Sequence, residues 1–447
     1  MINPRLLLIL MSFYSHSLPA TNGMNMIGFG ARSIAMGGAV ESVTNDNESM
    51  MINPAGLAAL SSSQLSFSLS SFYPKVSHSD ALGNEVNETS QRPPLPLFSI
   101  SRPAGHWVTG LGLFIQGGTG AEYEHLTTPF TAQKTAGLLP DPVGTIPNQD
   151  KHDSRLMHLK LTPTIAYKFS SQLRLGASLN LSHARAKMSL FPETSVAFDG
   201  NSSGSFGDSP NDILFSGLDL DNLSANGVGY SIGMQYQVNA WHFGASYTSQ
   251  TKLNFNHGDA ELNMSAMGLG KVDYDAKLRG LSWPEEFAVG IGVQIQPNLL
   301  LTTDIAWINW SSAISSLDIH FNDTDHPMAP EASTMTMPMN WDDQMVWKIG
   351  MEYTRFDNWT LRFGYNHADT PMNSDYLRPI FPVISETHYT LGVTHHVRNL
   401  DLSLGFEYVP KTKMTNNNSD PSANLFSPGS TESLSNKIIT ASLSYHF

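Results

Sequence analysis

The chain ends on a strand pattern that leaves few folds open. From Ile439 to Phe447 apolar residues take every second position (Ile439, Ala441, Leu443, Tyr445, Phe447), with Thr440, Ser442, Ser444 and His446 between them. Alternate side chains of a strand point to opposite faces, so one face here is apolar and the other small and polar. The same alternation recurs over 159–169, 173–182, 228–238, 241–247, 287–295, 347–353, 359–365 and 400–408, with a second face rich in Gly, Ser, Thr, Gln and Asn. Two sheets sharing a dry core would not repeat such a face. A barrel wall with lipid outside and a polar lumen inside does.

The connections point the same way. Very short turns are expected at 103–105, 170–171, 239–240, 297–298, 357–358 and 398–399. Long polar connections alternate with them, at about 74–92, 123–153, 191–224, 257–270, 322–340, 368–382 and 411–432. Short turns at one end and long loops at the other mark an outer-membrane barrel. The intervening segments give a 14-stranded antiparallel transmembrane β-barrel over 61–447, an all-β fold, with both ends of the chain at the short-turn side. Tyr73, Trp107, Tyr123, Trp241, Trp283, Trp307, Trp310, Trp347 and Trp359 lie near strand ends, where aromatic rings suit the two membrane interfaces. A terminal Phe closing the last strand resembles the signal read by the barrel-assembly machinery of outer membranes.

Composition removes several function classes. Only 14% of residues are charged and the formal net charge is −14, which argues against nucleic acid as a partner. The chain has no Cys, so disulfides, thiolate metal sites and cysteine catalysis are excluded. There is no Gly-x-Ser-x-Gly elbow, and His395 and His396, adjacent on a strand, point to opposite faces and form no joint metal site. No catalytic residues, cofactor or metal are therefore expected. Residues 1–20, with Arg5 before the apolar run Leu6–Met11, read as a signal peptide. No other apolar run reaches the ~18 residues of a membrane helix.

Residues 21–60 do not alternate. They run Gly28-Phe29-Gly30-Ala31-Arg32 to Gly37-Gly38-Ala39, pass a polar stretch with Asp46, and reach Asn53-Pro54-Ala55. Pro54 is placed to open a short helix through Ala59. Such a Gly- and Ala-rich segment can pack as a small plug, or hatch, with short helices inside the barrel. Together with Ala184-Arg185-Ala186-Lys187, Trp283-Pro284-Glu285, Asp304 with Trp307 and Trp310, and Asn358 to Tyr365, these motifs resemble the FadL/TodX family of outer-membrane transporters of long-chain fatty acids and aromatic hydrocarbons. Asn53, Pro54 and Ala55 match its hatch motif.

The resemblance implies passive uptake of hydrophobic compounds. Cargo would be captured by extracellular loops, held in an internal apolar pocket, and released sideways through a kink in the third strand. Gly117, Gly118 and Gly120 are the expected kink, since Gly inside a strand marks a bulge or bend. Ile213, Leu214, Phe215, Leu218, Met264 and Met267 are unusually apolar for connections and are the candidate ligand contacts. Arg32, Arg174, Glu352, Arg362 and Glu407 are candidates for a charge network tying plug to wall. Strand parity turns Arg185 and Lys187 outward, toward lipopolysaccharide phosphates. Expected partners are thus a hydrophobic small molecule, outer-membrane lipid and the assembly machinery, for a monomer. A porin for polar solutes is the alternative; it would carry no hatch and would conduct as isolated.

Overall fold

The structure, a computed structural model, describes residues 22–89, 94–139, 143–201, 209, 212–324, 326–420, 423–426 and 428–447. The expected signal peptide lies outside the described residues. Fourteen strands form the wall. The first seven are β1 (Gln64–Phe72), β2 (Leu95–Ala104), β3 (Trp107–Thr119), β4 (Asp150–Lys168), β5 (Leu173–Phe198), β6 (Ile213–Val238) and β7 (Trp241–Thr248). The rest are β8 (Glu286–Gln296), β9 (Leu299–Ile308), β10 (Gln344–Phe356), β11 (Trp359–His367), β12 (Thr387–Val397), β13 (Leu400–Asn416) and β14 (Ser430–His446). Each pairs antiparallel with the next, and β14 returns to β1 from Gln64↔His446 to Phe72↔Ile438. The ring is closed, so neither end of the sheet is left as an edge.

The seam shows how the two faces are used. On the inner face Ser66 meets Ser444 at 2.9 Å, Ser68 meets Ser442 at 2.7 Å and Ser70 meets Thr440 at 2.8 Å. On the outer face Phe67, Leu69, Ile439 and Leu443 are exposed. The same outer exposure runs round the ring through Phe243, Val289, Ile291, Ile349, Phe363, Leu391 and Leu404. A continuous apolar belt of this kind is stable only against lipid. Among the described residues no helix is long and apolar enough to cross a membrane; the strands do the crossing.

The short turns are two-residue links at Gly105-His106, Asn239-Ala240, Pro297-Asn298, Asp357-Asn358 and Arg398-Asn399. Gly105, Asn239, Asn358 and Arg398 take positive φ there, a conformation that Gly and Asn tolerate best. The first turn falls later than expected, because Arg102 to Ala104 still pair with β3. Two of the long connections, expected at 191–224 and 411–432, are shorter than the sequence indicates because wall strands extend into them. β5 and β6 each run 26 residues, about 85 Å along the strand, against an apolar belt of ~25 Å. Their outer thirds pair with each other, and that of β6 also pairs with a strand at His257–Asn263. Leu190, Leu218, Leu220 and Leu262 are buried there in an outer core. Burial on both faces erases the period-2 pattern, so these extensions read as loop.

Three aromatics depart from the interfacial placement. Trp107, Trp241, Trp347 and Trp359 are exposed at the strand ends, but Tyr123, Trp283 and Trp310 are buried. The extracellular hairpin at Lys75–Ser79 is held by a buried latch. His78 Nδ1 bonds Glu432, and its Nε2 lies 3.0 Å from Asp80. Burial alone would lower the His78 pKa, but the two carboxylates outweigh it and hold it up at about 9.

Two outcomes follow. Ile291→Arg, on the lipid face, should destabilise the folded barrel by about 2–4 kcal/mol, measured by urea unfolding in lipid vesicles. The His78 latch is fully formed below the ordinary imidazole pKa and is lost as pH rises through about 9. Protease cleavage in the hairpin loop should therefore rise steeply between neutral pH and about pH 10, and His78→Gln should flatten that profile.

Candidate functional site

The third strand leaves the wall halfway up. β3 pairs with β2 only as far as Phe98↔Leu113. Beyond that, Leu95 still pairs with β1, while Phe114 to Thr119 pair only with β4 on their outer course. A bulge lies between Ile115 and Gly117, where φ reaches +155°. Every residue from Phe114 to Thr119 is buried, so the strand has turned out of the lipid-facing surface. Gly120 has φ +153°, and Gly118 donates its N–H to Met24 O at 3.1 Å. Gly117 thus lies at the bulge, and Gly118 and Gly120 follow it. Inside the gap the lumen is apolar: Phe72, Leu95, Ile115 and Ile438 cluster with Met26 and Leu159.

The first described residues close this break. Asn22 and Asn25 exchange backbone hydrogen bonds at 3.0 Å in a tight turn, Asn25 forms a β-bridge with Gly117, and Met26 N donates to Gln116 O at 3.3 Å. A Cβ on Gly117 would lie 1.9 Å from Met24 O, so only glycine admits this arm. Gly23 sits against Trp310, where a Cβ would come within 2.4 Å of the indole nitrogen. Trp283 and Trp310 are buried because they brace the arm. Consecutive arm residues face different cavities. Met24 lines an apolar one of about 40 Å³ with Leu156, Leu278, Leu281, Ile314, Leu317, Trp341 and Phe381. Asn22, Asn25 and Met26 line a polar one of about 50 Å³ with Gln116, Glu41, Glu286 and Lys348. At the mouth of the apolar cavity stand Arg155 and Lys187. Lys187 is therefore not turned outward as parity alone indicates; it lies 3.7 Å from Asp221, while Arg185 is exposed. The cause is again the outer extension of β5, whose flanks are both covered.

The rest of the plug is anchored to the lumen wall. Helix α1 (Gly30–Ala35) packs on β12 and β13. Pro54–Ala59 forms a short 3₁₀ helix capped by Asn53, whose side chain accepts from Ala55 N at 3.1 Å. Asn53 Nδ2 also donates to Glu41 Oε1 at 2.8 Å and to Met234 O of β6 at 3.0 Å. Two lumen-facing glycines make room: a Cβ on Gly176 would lie 2.2 Å from Pro54 C, and one on Gly233 2.0 Å from Asn53 Oδ1. Burial and the neighbouring Asp304 carboxylate push the Glu41 carboxyl well above the usual carboxylate range. Arg32 bridges Glu352 on β10 and Asp46 in the plug, both at 3.2 Å, and Arg362 bonds the same Glu352 at 2.8 Å. Arg174 and Glu407 stand apart from that triad. Arg174 reaches Gln235 at 3.4 Å, and Glu407 pairs with His388 at 2.8 Å.

The six apolar candidates in the outer region are divided. Leu218 and Met264 are buried in the outer core, which Phe215 flanks. Ile213 and Phe215 pack near Phe130 and Val196. Leu214 and Met267 are exposed. None of the six lines the cavity at Met24. The residues that do line it, and Asn25, Gln116 and His158 beside it, escape sequence reading because they come from the plug, three wall strands and three of the long connections. The isolated apolar residues Leu278, Leu281, Ile314 and Leu317 were the available signal.

Comparison with known proteins agrees with this architecture. Residues 18–447 match the family model described as outer membrane protein transport protein (OMPP1/FadL/TodX), and the chain belongs to that family. It is thus an outer-membrane protein of a family that transports hydrophobic compounds, and that family is one of transport channels. The Pseudomonas putida toluene transporter TodX superposes with a TM-score of 0.72 at 20% identity, covering 95% of this chain and 99% of that one. The Ralstonia pickettii toluene transporter TbuX gives 0.68 at 22%, covering 95% and 99%. A Pseudomonas aeruginosa FadL homologue gives 0.68 at 15%, covering 97% and 100%. At these identities the likeness is one of fold. A 60-residue stretch, 13% of this chain, is 40% identical to a Chlorobium limicola protein from the 5′ region of a phosphoenolpyruvate carboxykinase gene, and spans 30% of that relative's length.

The anchoring of the plug can be checked directly. Gly176→Val should displace Pro54, and Arg32→Ala should remove the plug-to-wall ion pair, weakening the seat by about 1–3 kcal/mol. Both variants should raise ion conductance in planar bilayers above that of the parent protein. Unchanged conductance in both would mean that neither contact seats the plug.

Proposed function

We propose that this protein takes up hydrophobic molecules by passive diffusion, holding them in the apolar cavity at Met24 and releasing them sideways into the outer membrane through the gap between β2 and β3. The observation that carries the reading is the end of the β2–β3 ladder at Leu113, with Phe72, Leu95, Ile115 and Ile438 lining the inside of the gap. Other apolar patches of the lumen face, at Leu97, Val108 and Ala166 and at Leu300, are covered by the plug body. Among the described residues of the plug, the patch at the gap is touched only by Met26 of the arm, and it matches a greasy cargo. Transfer of such cargo into water costs about 0.8 kcal/mol per CH₂, so a long acyl chain released downward would meet a steep barrier. Lateral release avoids it.

Capture falls to the outer core, where Ile213, Leu214, Phe215, Leu218, Met264 and Met267 supply apolar surface and the flexible Met side chains suit varied shapes. Gly117, Gly118 and Gly120 form the opening, and residues 21–60 act as the hatch, of which the arm is the moving part. The hatch body fills the bore and is pinned by Asn53 and Arg32, which disfavours a porin for polar solutes. The cargo is a fatty acid, an aromatic hydrocarbon or a related apolar compound. Both cavities are small with the arm in place, so binding must be coupled to its displacement.

Because the chain has no cysteine, the exit is testable by a designed pair. Leu95→Cys with Ile115→Cys, joined by a thiol-specific cross-linker, should reduce uptake of radiolabelled oleate or toluene at least tenfold, and cleaving the linker should restore it. Full uptake with the linker in place would overturn lateral release.

A further inference from the structure

The arm carries a pattern that goes beyond closure. Asn25 Oδ1 accepts two hydrogen bonds from the barrel side, from Trp283 Nε1 at 2.7 Å and Gln116 Nε2 at 2.9 Å. Asn25, Gln116 and Trp283 are all more than nine-tenths buried. Two converging N–H donors, fixed in a buried site, specify an oxygen atom at their focus. Around them stand groups that find no protein partner: Gln116 Oε1 and both ring nitrogens of His158. His158 is fully buried, is paired with Gly117 across the β3–β4 ladder, and packs its ring 4.3 Å from that of Trp283. The focus therefore offers two donors, and beside them acceptors as well. One residue away, Met24 lines the apolar cavity. The arm thus sets an unbranched apolar side chain in the wall of the apolar cavity and an oxygen in the donor pair, side by side.

We propose that Met24 and Asn25 stand in for the two halves of the cargo, so that the site selects apolar molecules bearing a hydroxyl or carboxyl group over plain hydrocarbons. Such a group accepts from Trp283 and Gln116 and donates to Gln116 Oε1 or His158, completing the set that the arm satisfies only in part. This inference rests on the transport reading and narrows it. A plain hydrocarbon that displaced the arm would leave both donors buried without an acceptor, and selectivity by buried hydrogen-bonding groups is strongest when the analogue lacks the matching atom.

The test uses the full chain in lipid nanodiscs, with 1-naphthol and naphthalene as probes and empty discs subtracted. The parent protein should bind 1-naphthol about tenfold more tightly than naphthalene, the effect of one to two buried hydrogen bonds. Trp283→Phe and Gln116→Met should each bring that ratio toward one. Asn25→Leu, which removes the competing oxygen from the arm, should tighten 1-naphthol binding several-fold. Heat-modifiable migration on gels verifies that each variant is folded, and Gln116→Met carries the test if Trp283→Phe is not. A parent ratio near one, or a ratio unchanged in the folded variants, overturns the selectivity while leaving transport standing. Failure of the parent to bind either probe overturns the apolar site itself.

Discussion

A strand edge without partners is untenable in a lipid phase, because each unpaired N–H and C=O buried there costs several kcal/mol. Closure of β14 on β1 removes the two edges of the sheet. β3 then reopens one above Leu113 by parting from β2. The arm supplies what is missing: Gly118 N and Gln116 O, freed by the break, bond to Met24 and Met26. The plug, the bulge and the buried tryptophans all follow from that exchange. A wall with an unbroken β2–β3 ladder would need no arm, and Trp283 and Trp310 would have nothing to brace.

The plug divides into a fixed body and a lightly held arm. The body is seated by glycines that let its backbone touch the wall, by Asn53 and by the Arg32–Glu352–Arg362 triad. In a confined lumen such charges are paired because an isolated one would be prohibitively expensive. The arm makes a few backbone bonds, accepts two side-chain bonds at Asn25 Oδ1, and packs between two cavities. A sideways route asks only the arm to move, so the body's many contacts can stay intact while cargo passes. This division reconciles a lumen that is full with a protein whose family transports hydrophobic compounds.

The outer extensions of β5 and β6 form a second structural region. They carry the wall's pairing far beyond the apolar belt and support a core of buried leucines. That core holds the loops over the barrel mouth, and the His78–Glu432 latch fixes one of them to β14. The apolar cavity lies beneath, between the extensions and the arm, where Arg155 and Lys187 rim an otherwise apolar lining.

What the sequence determined by itself is whatever has a local period. Alternation of apolar and polar residues reports the side facing lipid, the spacing of turns reports the number of wall strands, and Asn53-Pro54 reports a capped turn, because each depends on neighbours a few residues away. Only the tertiary structure decided the site. Asn25 meets Gln116 and Trp283 across 91 and 258 positions, and no local pattern encodes a contact at that separation. Trp283 looked interfacial because it sits near a strand end; the inward turn of β3 and the arm beneath it buried the ring. Lys187 looked lipid-facing by parity, and Leu218 looked like loop. Both belong to strands covered on two sides, where a period of two carries no information about which side is inside.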